Sequence, residues 1–274
     1  MQTANAKRII VKVGTSTLTH GPGRPDFRNI EMLARTLSDI KNRGYEIALV
    51  SSGAIGVGCG KLGFTEKPRE LSLTQATAAV GQCELMHLYD KFFGEYGQTV
   101  AQILLTYDNI DNECSRKKLE NTFSALFSLG VIPIVNENDS VSTIEISTGE
   151  EHVFGDNDTL SALVARLCRA DLLILLSDID GLYDSDPHKN PGARLISVVD
   201  GVDDRIRSAA GGTVNALATG GMSTKLRAAE IANGSGIDMV IMNGANPEKI
   251  YDMLSGIPVG TLFRAKKEVL NEAQ

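Results

Sequence analysis

Along the chain, short apolar runs rich in β-branched residues alternate with longer stretches whose apolar positions recur every three or four residues. Arg8–Val13 reads as a buried strand broken only by Lys12, and it ends in the polar run Gly14-Thr15-Ser16. Ile30, Leu33, Ala34, Leu37 and Ile40 share one face of a helix expected from Phe27 to Arg43, with Gly44 placed to stop it. The same reading predicts strands at Tyr45–Val50, Val100–Leu105, Val131–Val135, Leu172–Leu176 and Ile237–Met242. It predicts helices at Leu71–Tyr96, Cys114–Leu129, Thr159–Arg169 and Ser223–Asn233, and a short one after Asn246-Pro247. Ser140–Glu151 is polar and reads as a hairpin or flap.

Strands separated by helices of ten or more residues imply parallel βαβ units, and hence an open sheet covered on both faces. The expected fold class is therefore α/β: a three-layer αβα sandwich around a mostly parallel central sheet. No linker or repeat interrupts the pattern, so residues 1–274 are expected to form one domain. In such sheets ligands gather outside the carboxyl ends of the strands. Four polar segments qualify here: Gly14–Ser16, Ser51–Gly53, Asn136–Asp139 and Ser177–Asp178.

Composition narrows the possibilities. The 274 residues are 42% hydrophobic and 22% charged, which excludes wholesale disorder. A net charge of −7 argues against nucleic acid or an anionic membrane as partner, while leaving room for a local phosphate pocket. No apolar run approaches a membrane span, and the amino end lacks the features of a secretory signal. Cys59, Cys83, Cys114 and Cys168 form no C-x-x-C pair, and the four histidines stand far apart. Free thiols in a reducing cytoplasm, with no protein metal site, are expected.

Three constellations carry chemistry. Lys12 lies in an apolar strand, where an unpaired ammonium is costly, just before a glycine that lets backbone N–H groups approach a phosphate. It is either an edge-strand lysine or one reaching past the strand end to an anion. Thr219-Gly220-Gly221-Met222-Ser223-Thr224-Lys225 opens a helix, and a lysine in a first turn opposes the helix dipole unless an anion is present. The acidic, amide-rich clusters Asn136-Glu-Asn-Asp139 and Gly155-Asp-Asn-Asp158 exceed what capping requires, although Asp156 reads as a helix cap. Carboxylates beside amides can bind an ammonium, orient a lysine or hold Mg²⁺ through water. Gly58–Gly63 matches G-x-G-x-x-G, but a loop rather than a helix is expected after it, so a dinucleotide fingerprint is set aside. The P-loop pattern is absent, because Gly60-Lys61 is followed by leucine.

Two lysines on phosphate-friendly loops beside acidic clusters suit phosphoryl transfer, in which a protein mainly positions reactants and neutralises charge. No histidine is placed to act as a base. That fits a carboxylate acceptor, whose pKa of ~4.3 leaves it ionised at neutral pH.

The strings IIVKVGTSTL, LVSSGAI, VIPIVNENDSV, FGDNDTLSAL, LLSDIDGLY and TGGMSTKL together resemble the glutamate 5-kinases of the amino acid kinase family, from about Lys7 to Phe263. The resemblance implies ATP-dependent phosphorylation of L-glutamate with Mg²⁺ accompanying the nucleotide. It implies an N-terminal part that holds glutamate and a C-terminal part that holds ATP. By resemblance, Lys12 contacts the transferring phosphoryl group from the acceptor side, Lys225 does so from the ATP side, and Asp158 organises the two. Ser52, Asp139 and Asn157, with Asn136 nearby, match glutamate-binding positions. Ser177, Asp178 and Thr219–Lys225 match the nucleotide site. Homo-oligomers and feedback inhibition by proline are also implied. Two departures stand out. Many members carry a C-terminal PUA domain, which this chain, ending soon after Phe263, is expected to lack. The segment Ser147–Phe154 is longer than the family pattern. A relative acting on another acidic amino acid, or a non-catalytic amino-acid sensor, are the alternatives; the presence of Lys12, Asp158 and Lys225 together argues against the sensor.

Overall fold

The computed structural model describes residues 6–21, 23–142, 156–185, 187, 189–209 and 221–265. The first part of the chain runs through β1 (Arg8–Val13), α1 (Thr15–Leu18), β2 (Thr19–His20), β3 (Arg24–Pro25), α2 (Phe27–Asn42), β4 (Glu46–Ser51), α3 (Ala54–Leu62) and α4 (Leu71–Glu95). It continues through β5 (Val100–Leu105), α5 (Tyr107–Asp111), α6 (Glu113–Ser128), β6 (Ile132–Glu137), α7 (Asn157–Leu167) and β7 (Leu172–Ser177). The last part holds β8 (Val198–Val199), α8 (Asp204–Ala209), α9 (Met222–Gly234), β9 (Asp238–Asn243), α10 (Lys249–Leu254) and β10 (Thr261–Phe263).

Eight strands form one sheet in the order β5-β6-β4-β1-β7-β9-β10-β8. The first six are mutually parallel; β10 runs antiparallel to β9 and carries β8 beside it. This is the expected α/β architecture, with a short antiparallel margin that the hydrophobic pattern did not reveal. Two-residue periodicity sorts each strand between two cores. Ile9, Val11 and Val13 face the layer of α2, α3, α4 and α10. Ile10 faces the layer of α5, α6, α7 and α9. Lys12 shares the Ile10 side, between Val50 and Leu175 in the strand register. Its side chain is therefore directed toward the layer that contains α7 and α9.

The loop expected after Gly63 is present. The glycine-rich run before it, to which the hydrophobic pattern assigns no element, is helix α3 (Ala54–Leu62). Gly53, with φ of 99°, turns the chain out of β4 and occupies the N-cap, and Gly63, with φ of 75°, ends the helix. The run reads poorly as a helix because its three internal glycines weaken helix propensity. Tertiary contact overrides this: α3 lies so close to α4 that a Cβ on Gly58 would sit 2.0 Å from the Thr77 carbonyl oxygen. From the other side, a Cβ on Gly81 would sit 1.7 Å from the Ala54 carbonyl oxygen. In the G-x-G-x-x-G match, Gly58 thus packs against α4, Gly60 against the backbone at Gly23, and Gly63 ends the helix, so none opens a helix as a nucleotide fingerprint would. Similarly, Thr15–Leu18 after the first strand is a short helix rather than an open polar loop.

Candidate active site

The four polar segments singled out above follow β1, β4, β6 and β7, and these strands are neighbours in the sheet. Their carboxyl ends open into one crevice.

At its centre lies Asp158, in the first turn of α7, where the helix dipole favours a negative charge. Asp156 caps this helix by accepting the Thr159 N–H at 2.8 Å, as its place in the sequence predicts. Asp158 is 1% exposed and meets both lysines. Lys12 Nζ stands 2.6 Å from Oδ1, and Lys225 Nζ stands 3.1 Å from Oδ2. The Thr224 hydroxyl lies 3.1 Å from the same Oδ2. Lys225 comes from the first turn of α9, whose N-cap is Gly221. Lys12 reaches past the end of β1, so that a Cβ on Gly14 would lie 3.7 Å from its ammonium. Of the two readings of Lys12, the edge-strand one is excluded, since β1 is flanked on both sides. Burial alone would raise the pKa of Asp158, but the two ammonium groups outweigh it and hold the carboxyl below the ordinary aspartate range.

Beside this ion triad opens a cavity of about 410 Å³, lined by Thr15, Gly53–Gly56, Lys67, Asn136, Asp139 and Asn157, among others. Asn157 donates from Nδ2 to the Ser52 hydroxyl at 2.9 Å, the Ser51 carbonyl at 3.1 Å and Asn136 Oδ1 at 3.0 Å. Ser52, Asn136 and Asn157 therefore form one hydrogen-bonded wall. Asp139 stands in the same cavity; burial pushes its carboxyl above the usual range, with Lys67 acting in the opposite direction. Burial likewise raises Glu137 and Asp156.

Ser177 and Asp178 end β7, and the Ser177 hydroxyl donates to Asp178 Oδ1 at 3.0 Å. Gly221, Met222, Ser223 and Thr224 surround the start of α9. Thr219, Gly220, most of the Ser140–Glu151 segment and all of Ser147–Phe154 lie outside the described residues. Sequence reasoning placed Thr15 and Gly53 in ligand-facing segments but missed Ala54–Gly56 of α3 and Lys67 as cavity walls. The signal for α3 was available in the four-residue spacings Ala54–Gly58 and Gly56–Gly60, which put small residues on two opposite helical faces, one against α4 and the other against Thr15 and Gly23.

Among the described residues, no three His, Cys, Asp or Glu side chains converge as a metal site. No described helix is long and apolar enough to cross a membrane.

Residues 7–243 match the profile of the Amino acid kinase family. The glutamate 5-kinase of Clostridium perfringens is 53% identical over 96% of this chain and 97% of its own length. That of Listeria welshimeri is 52% identical over 97% and 96%. Among solved structures, carbamate kinase from Giardia lamblia bound to AMP-PNP superposes with a TM-score of 0.67 at 17% identity, over 96% of this chain and all of that one. Isopentenyl phosphate kinase from T. acidophilum gives 0.64 at 18%, over 94% and 100%. These structural likenesses establish the fold, and the sequence matches go further: the chain belongs to the amino acid kinase family and, within it, to the glutamate 5-kinases.

Proposed function

We infer that the crevice transfers the γ-phosphoryl group of ATP to the side-chain carboxylate of L-glutamate, giving ADP and L-glutamyl 5-phosphate, the first step toward proline. The observation that carries this reading is the pair of buried lysines on a single ionised aspartate at the strand ends. Charge on a transferring phosphoryl group is spread over its equatorial oxygens, so prepositioned cations are what the reaction asks of a protein.

In this reading glutamate occupies the 410 Å³ cavity. Its α-ammonium meets Asp139, whose half-buried carboxylate has a cation to gain, with Asn157 and Asn136 beside it. Its γ-carboxylate lies toward Lys12 and Ser52. ATP approaches along Ser177, Asp178 and the segment Thr219–Lys225, so that the N-terminal part of the chain holds the acceptor and the C-terminal part the donor. Lys12 steadies the phosphoryl group from the acceptor side and Lys225 from the ATP side. Asp158 keeps both ammonium groups in place and does not act as a base. No base is required, because the acceptor carboxylate is ionised at neutral pH.

Kinase chemistry with ATP uses a divalent ion, Mg²⁺ in our reading. Both Asp158 oxygens are taken by lysines, so this carboxylate would leave the ion to the nucleotide, where it would supply further positive charge to the phosphate oxygens. Cytoplasmic location, self-association as a dimer or tetramer and inhibition by proline belong to the same proposal and rest on the family resemblance.

The test is direct. Purified protein with ATP, Mg²⁺ and L-glutamate yields a hydroxamate when acyl phosphate is trapped with hydroxylamine. No product from glutamate, with a good yield from aspartate, would overturn the substrate assignment. Lys225→Ala is expected to lower kcat at least ~100-fold while the fold survives, in keeping with the loss of one charge stabiliser. Near-normal turnover would show that the phosphate site lies elsewhere.

A further inference from the structure

Asn136 and Asn157 each have a side-chain amide whose two ends differ in chemistry, and which end faces the cavity decides what it can bind. Two backbone groups settle the matter. The Glu137 N–H donates to Asn136 Oδ1 at 2.9 Å, so the Asn136 oxygen is on that side. The Ser51 carbonyl can only accept, so the atom of Asn157 at 3.1 Å from it is the nitrogen. The Asn157 nitrogen is thus committed to Ser51, Ser52 and Asn136 Oδ1. The oxygen is left as the polar group that this cavity-lining side chain can offer to a ligand. An oxygen in the cavity that the Asp139 carboxylate also lines is a receptor for an ammonium group and repels a carboxylate.

One hydrogen of this arrangement is still to be placed. Asn136 is 3% exposed, so its Nδ2 needs a partner within the protein. It donates to Gln82 Oε1 at 2.9 Å, in the middle of α4. Gln82 does not line the glutamate cavity. It lines a second one of about 370 Å³, which shares only Ala54, Asp139 and no other wall with the first.

We propose that Gln82 is a positioning residue for recognition of the substrate's α-ammonium: by accepting the Asn136 Nδ2 hydrogen, it holds the Asn136 amide, already oriented by the Glu137 N–H, where its oxygen helps keep the Asn157 nitrogen turned from the cavity. Without that acceptor, a nearly buried N–H has no partner on α4 and the Asn136 amide turns to find one. Asn157 Nδ2 then keeps the Ser51 carbonyl and the Ser52 hydroxyl but loses the acceptor that Asn136 held in place, and its position in the cavity wall loosens. The proposal rests on the assignment of glutamate to the 410 Å³ cavity and names how one of its charges is read.

Gln82→Met keeps the length of the side chain and removes the acceptor; Gln82→Glu keeps an acceptor. With Gln82→Met, KM for L-glutamate is expected to rise about tenfold, with kcat within about threefold and KM for ATP unchanged. Preference for L-glutamate over glutarate, which lacks the ammonium, falls by the same factor. Gln82→Glu stays within about twofold of the unmodified protein in KM for glutamate, by retention of the accepted hydrogen bond. The proposal is overturned if Gln82→Met leaves KM for glutamate unchanged or weakens glutamate and glutarate equally, as a general collapse of the pocket would. It is equally overturned if Gln82→Glu is as impaired as Gln82→Met. Failure of the unmodified protein to turn over glutamate at all would instead refute the activity, so the two are told apart by that control.

Discussion

Asp158 carries more than its share of the site. Its carboxylate stands between two ammonium groups whose residues are 8% and 5% exposed, and nothing else among the hydrogen bonds and ion pairs described for Lys12 neutralises that lysine. Removing one partner of a buried ion pair leaves charge uncompensated, so Asp158→Asn is expected to cost ~3–5 kcal/mol in urea melts. ATP should restore part of that loss, because its phosphates supply the missing anion; equal destabilisation with and without ATP would count against the phosphate assignment. The pH dependence has a definite sign. A carboxyl whose folded pKa lies below its unfolded one contributes stability above the unfolded pKa, and that contribution is lost as pH falls through the folded value. In acid titrations, Asp158→Asn should therefore show a shallower loss of stability below the ordinary aspartate range than the unmodified chain.

Asp139 has the opposite shift, raised by burial. If its ionised form receives the substrate's ammonium, kcat/KM for glutamate must fall as pH drops through that raised pKa, earlier than for a solvent-exposed aspartate. Asp139→Asn should abolish this acid limb, and a pH profile of kcat/KM measures both. The thiols offer a check on burial itself. Cys168 is buried, with a pKa pushed up to about 12, whereas Cys83 and Cys114 are exposed. A thiol reagent on the folded protein should modify the latter two quickly and Cys168 only after unfolding.

At the scale of elements, the amphipathic pattern carried most of the information. Arg8–Val13 and Val100–Leu105 are strands with the bounds that hydrophobic runs indicate; α2 and α4 depart from expectation by one residue at one end, and α6 by one residue at each end. Helix α3 was illegible because a propensity scale cannot see a partner helix that demands small residues. That demand can be measured. Gly81→Ala puts a methyl group into the Ala54 carbonyl and should destabilise the protein by about 1–3 kcal/mol, as overpacking does. It should also raise KM for glutamate, since Ala54 begins the helix that walls the cavity. Gly94, on the same helix α4, meets nothing within 4 Å, and Gly94→Ala should be neutral or stabilising by up to about 1 kcal/mol. A similar melting loss for both would show that the α3–α4 contact is not as close as described.

At the scale of the molecule, Lys12, Asp158 and Lys225 were recognisable as chemistry-bearing residues, but their meeting was expected only from the family resemblance and not from any local pattern. It depends on strand order. Because β1 lies between β4 and β7, and because α7 and α9 cover the same face of the sheet, residues separated by 146 and 67 positions converge on one carboxylate. No local pattern encodes that order. The hydrogen-bonded wall of Ser52, Asn136 and Asn157 arises in the same way, from the adjoining ends of β4 and β6 and the opening turn of α7.

That opening turn holds Asn157 and Asp158 side by side, one lining the cavity of about 410 Å³ and the other between the two lysines, which on the proposed assignment serve the acceptor and the donor. A shift of this single backbone segment cannot be felt by one reactant alone. Thermodynamic reciprocity then requires that whatever factor glutamate adds to the affinity for a non-hydrolysable ATP analogue, the analogue adds to the affinity for glutamate. Calorimetric titrations in both orders would measure that shared factor, and a value of one would mean that α7 separates the two compartments without connecting them.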